Sequence, residues 1–347
     1  MKYVQTVLGR IRPEEMGFTL PHEHLFWDLS FYLPEDLRAD DPTDPRNHPV
    51  TPELLGLVRY HLTDYRDNVV HQDLDNGVRE LRWYKEAGGG TLCDCSAPGV
   101  GGDPVKVREA SRRSGVHVIQ CTGAYCGFTL PEELARLDRE QMALRFIREI
   151  REGIGDTQIR CGFIKVGICE GFPALEQQTL AAAAMAQKET GAAILIHQPG
   201  LERRADQIFK ILTDHGGDLN RTVMCHCDPL LPDHDYLDHM AKSGAYLSFD
   251  FFGPQIVLNL KGYKNLWLPS DQQRIQAIPE QIARGNLNRI VLSHDTVYKC
   301  NMRTYGGYGF AHLPRDILPL MRDEGYEEAW LRTMTVENPR EIFSMEE

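Results

Sequence analysis

The chain has 347 residues, 42% apolar and 25% charged, which is the composition of an ordinary folded protein and excludes disordered, collagenous and coiled-coil classes. Its 38 Lys and Arg against 50 Asp and Glu leave a formal charge of −12, and no dense basic cluster follows a phosphate backbone, so nucleic acid is not an expected partner. No stretch approaches the ~18 apolar residues of a membrane helix and residues 1–15 lack a signal-peptide centre, so no membrane partner and a cytoplasmic location are expected.

In chain order, the first predicted strand is GFTLPHEH (17–24). Residues 31–72 follow, too long for a mere connection, and read either as a lid over the active face or as an inert, partly helical insertion. A helical pattern begins near Asp73 (DNGVRELRWYKEAG). Then come strands TLCDCS (91–96) and VHVIQCTG (116–123), the helical run EELARLDREQMALRFIREIREG, and strand IRCGFIKVG (159–167). The helix LEQQTLAAAAMAQKETG precedes strands AAILIHQ (192–198), RTVMCHC (221–227) and GAYLSFD (244–250). A second long connection, 251–272, carries Tyr263 and Trp267 and is expected to wall a pocket. The helix DQQRIQAIPEQIARGN and the strand NRIVLSHD (288–295) complete the pattern. Eight strands, each followed by a helix, predict a (β/α)8 TIM barrel of class α/β rather than an open sheet, with long loops after strands 1 and 7. Without an internal linker or a repeat, residues 1–347 read as one domain.

Nine cysteines in a chain of this length do not make a disulfide scaffold, and reduced thiols are expected. Cys93-Asp94-Cys95 and Cys225-His226-Cys227 space their thiols more tightly than structural zinc sites do. On a strand, both thiols of such a pair take one face as small buried side chains.

On this scheme His22 and His24 end the first strand, Lys165 lies on the fourth, and His197, His226 and Asp295 end the fifth, sixth and eighth. A barrel brings all six to its C-terminal rim, where active sites sit. His22 and His24 are two residues apart and project to one side while Glu23 faces the other, which suits two imidazoles on one metal ion. His48, His61, His71, His117, His215, His234, His239 and His312 mostly fall in loops or helices and read as structural.

The His22/His24 pair, the lysine of GFIKVG, the isolated His197 and His226 and the aspartate of LSHD together resemble the phosphotriesterase-like family of the amidohydrolase superfamily. YGGYGF (305–310) and VENPREIF (336–343) resemble its phosphotriesterase-related branch. The resemblance implies two divalent metal ions, usually zinc, with His22, His24 and Asp295 on one and His197 and His226 on the other, Lys165 bridging both. An ammonium group only donates and cannot ligate, so the family form is Lys165 N-carboxylation, whose carbamate offers two anionic oxygens. A hydroxide bridging the ions would attack a carbonyl or phosphoryl centre, and Asp295 would pass its proton toward the leaving group.

The same resemblance places Tyr125 where lactonase-like relatives have a tyrosine beside the metals. It places Phe251 where organophosphate hydrolases have histidine and homoserine-lactone hydrolases arginine. Lys299 and Arg303 fall where some relatives grip an anionic substrate group. The expected activity is hydrolysis of a small-molecule carboxylic ester, first a lactone, with an N-acyl amide next and phosphotriesters third. A binding protein that keeps the metals without chemistry is the alternative from another class. A homodimer is compatible with a barrel of this family.

Overall fold

The computed structural model describes every residue except 201, 255–256 and 259–265. Tyr263 lies outside the described residues. Among those described, the β-branched runs form β1 (Phe18–Glu23), β2 (Gly89–Asp94), β3 (His117–Ala124), β4 (Phe163–Gly167), β5 (Ala193–His197), β6 (Thr222–Cys225), β7 (Tyr246–Phe249) and β8 (Ile290–Leu292). They make one parallel sheet in sequential order. β8 returns to β1 through Ser293, whose Oγ donates to the His22 carbonyl at 2.8 Å and accepts the His22 N–H at 3.1 Å. The expected (β/α)8 barrel is the observed architecture.

The helices start where the sequence supplies caps. Asp73 caps α1 (Leu74–Glu86) by accepting the Asn76 N–H. Asp103 caps α2 (Pro104–Ser114). Asp138 forms a capping box with Gln141 at the head of α3 (Arg139–Arg151), so the long helical run of the sequence breaks into Glu132–Ala135 and α3. α4 (Ala174–Thr190), α5 (Ala205–Asp214), α6 (His234–Lys242) and α7 (Asp271–Ala283) follow.

Strand alternation sorts the core into two layers. Cys93, Cys95, Cys121, Phe163, Leu195, Val223 and Val291 fill the barrel. Leu92, Val118, Ile164, Ile194, Ile196 and Leu247 pack outward with buried helix residues such as Leu81, Phe146 and Leu180. β3 and β4 approach closely where Gly123 pairs with Lys165. A Cβ at Gly123 would come within 1.9 Å of the Lys165 carbonyl, and its φ of +123° is one that only glycine adopts freely.

At the opposite end of the barrel, Lys2–Thr6 pairs antiparallel with Gly9–Ile11 and with Met345–Glu346. Val4, Ile342 and Phe343 plug that end, Phe343 edge-on to Phe163 at 5.4 Å. Above the rim, the 31–72 segment builds its own apolar cluster. Tyr32, Val50, Val58, Leu62 and Val69 join Trp27 and Leu29 and pack with Phe251, Leu258, Leu266, Leu268 and Tyr298 from the loops after β7 and β8.

Two expectations about cysteine need correction. Cys126 and Cys169 form a disulfide across a sequence separation of 43. The loops after adjacent strands β3 and β4 bring their Cα atoms to 6.1 Å, which no local spacing reveals. The other seven thiols are free and buried. Cys225 and Cys227 do not share a face: Cys225 belongs to the barrel interior and Cys227 to the outer layer. Between them His226 takes a left-handed backbone with φ of 60°, which interrupts the strand alternation.

Candidate metal centre and active site

His22, His24, His197, His226 and Asp295 stand at or just past strand ends and Lys165 in the middle of β4, and the structure brings all six together. His22 Nε2 lies 3.0 Å from Lys165 Nζ and 3.4 Å from Asp295 Oδ1. His24 Nε2 is 3.1 Å from Asp295 Oδ1. His226 Nε2 faces His197 Nδ1 at 2.8 Å. Lys165 is buried, its ammonium also 3.4 Å from Cys225 Sγ. Asp295, like His226, has a left-handed backbone, with φ of 52°. Two of the four described non-glycine residues with a left-handed backbone thus stand at this rim.

Outside this ring, other side chains hold the imidazoles. Asp250, fully buried, accepts from His22 Nδ1 at 2.7 Å with one oxygen and from His226 Nδ1 at 2.9 Å with the other. It also accepts the His226 N–H at 2.9 Å. His24 Nδ1 meets Ser96 Oγ at 3.0 Å, and the Ser96 N–H donates to Asp94. Behind Asp250, the Asp228 carboxylate accepts its N–H at 2.9 Å and pairs with the buried Arg274. With Nδ1 committed to a carboxylate, the Nε2 lone pairs of His22 and His226 turn inward, the orientation that metal-binding histidines need.

Burial and the neighbouring Lys165 push the His22 pKa down to about 4. Burial and the neighbouring His226 push His197 well below its ordinary value. Both are therefore neutral imidazoles, the ligand form, at neutral pH. For Asp295 burial favours the protonated acid, but the neighbouring His22 and the hydrogen bond from His24 outweigh it and hold the carboxyl well below the usual carboxylate range. Lys165 is likewise held charged: burial opposes this, and the surrounding Cys225, Cys95, Asp295 and Asp250 prevail.

His22, His24 and Asp295 offer ligand atoms within 4.8 Å of one another, and so do His22, His226 and Asp250. Imidazoles and carboxylates with their ligand atoms facing one another suit one or more divalent cations of zinc type. The histidines and Asp295 fit the divalent ions that the resemblance implies; Lys165, an ammonium here, would join them only once its nitrogen is deprotonated and carboxylated.

This ring floors a small cavity of about 70 Å³. Its walls are largely apolar: Leu29, Leu62, Val100, Leu258, Leu268 and Val297, with Tyr32, Tyr125, Tyr298 and Asn301 as polar exceptions. Phe251 stacks on His226 with centroids 4.7 Å apart, and Tyr125 stands edge-on to His197 at 5.2 Å. Tyr32 hydrogen-bonds to Tyr125, and burial raises its own pKa to about 12. Trp267 is 71% exposed and does not line the cavity, while its neighbours Leu266 and Leu268 are buried.

Lys299 and Arg303 are not on this wall. Lys299 Nζ is paired with Asp67 at 2.6 Å, and the Arg303 guanidinium lies over the Trp83 ring at 4.4 Å. Each cation is turned by a partner distant in sequence. His294, the remaining histidine of LSHD, is wholly buried and bonded to Glu23 at 2.7 Å. Sequence reasoning missed Asp250, Tyr32 and Tyr298. Asp250 ends β7's run at the level of the other rim residues, and that position was its one available signal.

The phosphotriesterase family description matches residues 2–343, and the chain belongs to that family. It is a hydrolase of the family, similar to N-acetyltaurine hydrolase of Danio rerio at 34% identity over 340 residues, 97% of this chain and 96% of that one. Among solved structures, a resiniferatoxin-binding protein from Rhodobacter sphaeroides superposes with a TM-score of 0.92 and 34% identity, over 98% of this chain and 94% of that one. The phosphotriesterase homology protein from Escherichia coli, complexed with phosphate in its active site, gives 0.77 and 26%, over 95% and 99%. No helix among the described residues is long and apolar enough to cross a membrane.

Proposed function

We propose that the protein is a metal-dependent hydrolase of carboxylic acyl bonds in small molecules, with a lactone or other neutral ester as first substrate class. The observation that carries this reading is the convergence of six potential ligands at the floor of a largely apolar cavity. An N-acyl amide is the second reading, favoured by the name of the Danio rerio relative, N-acetyltaurine hydrolase, since N-acetyltaurine is an N-acyl amide. The whole chain acts as one domain, with 31–72 as its lid.

His22, His24 and Asp295 would hold one divalent ion and His197 and His226 a second, with Lys165, carboxylated on Nζ, between them. Such ions, zinc by the chemistry of these donors, supply Lewis acidity and bring the pKa of water toward neutrality. The chain's own residues do the rest. Phe251 and Tyr125 frame the His197/His226 side and seat the acyl group against apolar surface. Leu29, Leu62, Val100 and Leu268 exclude bulk water from the reacting carbonyl. Asp295, ionised, takes the proton lost as water adds to the carbonyl carbon, and returns it to the oxygen or nitrogen that leaves as the acyl bond breaks.

The test is a hydrolysis screen of the zinc-loaded protein across lactones, N-acyl amino compounds and organophosphates, scored by kcat/KM with metal content measured alongside. Carboxyl substrates should lead. A wild-type protein that binds no divalent ion, or one that turns over organophosphates best, would overturn this reading.

A further inference from the structure

The geometry points to Glu23 as the residue that positions Asp295. Glu23 sits between His22 and His24 in β1 but faces away from the cavity, is wholly buried, and does not line the pocket. Its Oε1 accepts the His294 N–H at 2.8 Å and His294 Nδ1–H at 2.7 Å, and its Oε2 accepts the Thr296 N–H at 3.0 Å. The residues on either side of Asp295 are thus tied to the two oxygens of one carboxylate.

The remaining contacts close the clamp. Ser293 Oγ lies 2.8 Å from Glu23 Oε1 and 2.8 Å from the His22 carbonyl, and the Asp295 N–H donates to the same carbonyl at 3.2 Å. His294 Nε2 accepts the Leu313 N–H at 3.1 Å, which leaves its proton on Nδ1, pointed at Glu23. Between these pinned neighbours Asp295 adopts its left-handed backbone, with φ of 52°, a conformation that an unclamped aspartate mostly leaves. The turn aims the carboxylate at His22 and His24. Glu23 therefore joins the seam between β8 and β1 to the geometry of one ligand, without touching substrate.

This inference rests on Asp295 being a metal ligand, and the experiment separates the two. Glu23→Gln keeps the shape but offers one acceptor oxygen, so its amide N–H₂ must confront the N–H of either His294 or Thr296. In the full-length chain the zinc dissociation constant, measured by chelator competition, should rise roughly 10- to 100-fold. The visible spectrum of the cobalt(II)-loaded protein should shift, kcat should fall and KM should stay unchanged. Glu23→Asp keeps the charge but is one methylene short, and should lie between wild type and Glu23→Gln. A purely structural role would lower the melting temperature while leaving the cobalt spectrum and the zinc affinity alone, and that result refutes the proposal. So does loss of folding in both variants, since the carboxylate would then hold the seam rather than the ligand. If the wild type binds no zinc, the metal reading falls and this proposal with it; if the wild type binds and Glu23→Gln binds equally, this proposal alone falls.

Discussion

Replacing Asp250 by asparagine tests whether one buried carboxylate organises both halves of the candidate centre. The aspartate offers two anionic oxygens, one to His22 Nδ1 and one to the Nδ1 and N–H of His226. Asparagine keeps a single acceptor. If its oxygen faces His226, its N–H₂ meets His22 Nδ1, which must then become an acceptor and move its proton to Nε2. That is the atom aimed at Lys165 and Asp295, so His22 ceases to be a ligand. One charge-assisted hydrogen bond is worth about 1.5–3 kcal/mol, which corresponds to a roughly 10- to 100-fold loss of metal affinity at the His22 position. Graded chelator dialysis followed by metal analysis reads this directly, and KM should change little because Asp250 does not line the cavity. A D250N protein holding its metal with wild-type affinity would show that Asp250 merely packs, and the assignment of His22's inward Nε2 would lose its physical basis.

Other expectations follow from the same geometry. Lys165→Ala should lose metal and activity together, with short carboxylic acids and bicarbonate partly restoring both; full metal content and rate in the alanine variant would make Lys165 structural only. Asp295→Asn should lower kcat by roughly 10²–10⁴ beyond any metal loss if it moves the proton, and normal turnover after metal is restored would assign it to coordination alone. Phe251→Ala should erode a preference for carboxyl over phosphotriester substrates that is roughly 10² or more in kcat/KM in the wild type, measured with one substrate of each class; an unchanged ratio would remove Phe251 from the specificity argument. His71 bonds the Leu25 carbonyl through Nδ1 at 2.8 Å and finds no partner at Nε2 among the described residues, and burial lowers its pKa to about 4. The unfolded chain takes up this proton near pH 6.5 and the folded chain only near 4, so stability is full above that window and falls as pH drops through it. Urea midpoints of wild type and His71→Asn across the window should differ in slope, the variant being flatter, and equal slopes would refute this.

The barrel was legible because its strands are short, β-branched and regularly punctuated, and because residues that end consecutive strands share one rim whatever lies between. That geometric identity carried His22, His24, Lys165, His197, His226 and Asp295 from the sequence to one place. What was illegible depends on contacts between loops. Cys126 and Cys169 meet because β3 and β4 are neighbours, and Lys299 turns to Asp67 because the 31–72 segment folds back over the loop after β8. Local exceptions hide as well: the left-handed His226 breaks an alternation that the letters around it suggest. Asp250 illustrates a third kind of blindness, since an aspartate at a strand end looks like a ligand or a cap until the two imidazoles it serves are seen.

The antiparallel ribbon of Lys2–Thr6 with Met345–Glu346 has a mechanical consequence. It lies at the end of the barrel away from the cavity, tied to the start of β3 by the bond from the Val7 N–H to the Val118 carbonyl. A tether or fusion attached at either end therefore departs from the far side, and an immobilised molecule presents its cavity to solution. Because the two ribbon strands pair with each other, tension applied to both ends opens that short ladder rung by rung before it reaches the barrel. Val4, Ile342 and Phe343 are then withdrawn from the barrel floor while the rim, a barrel length away, still holds its ring of histidines.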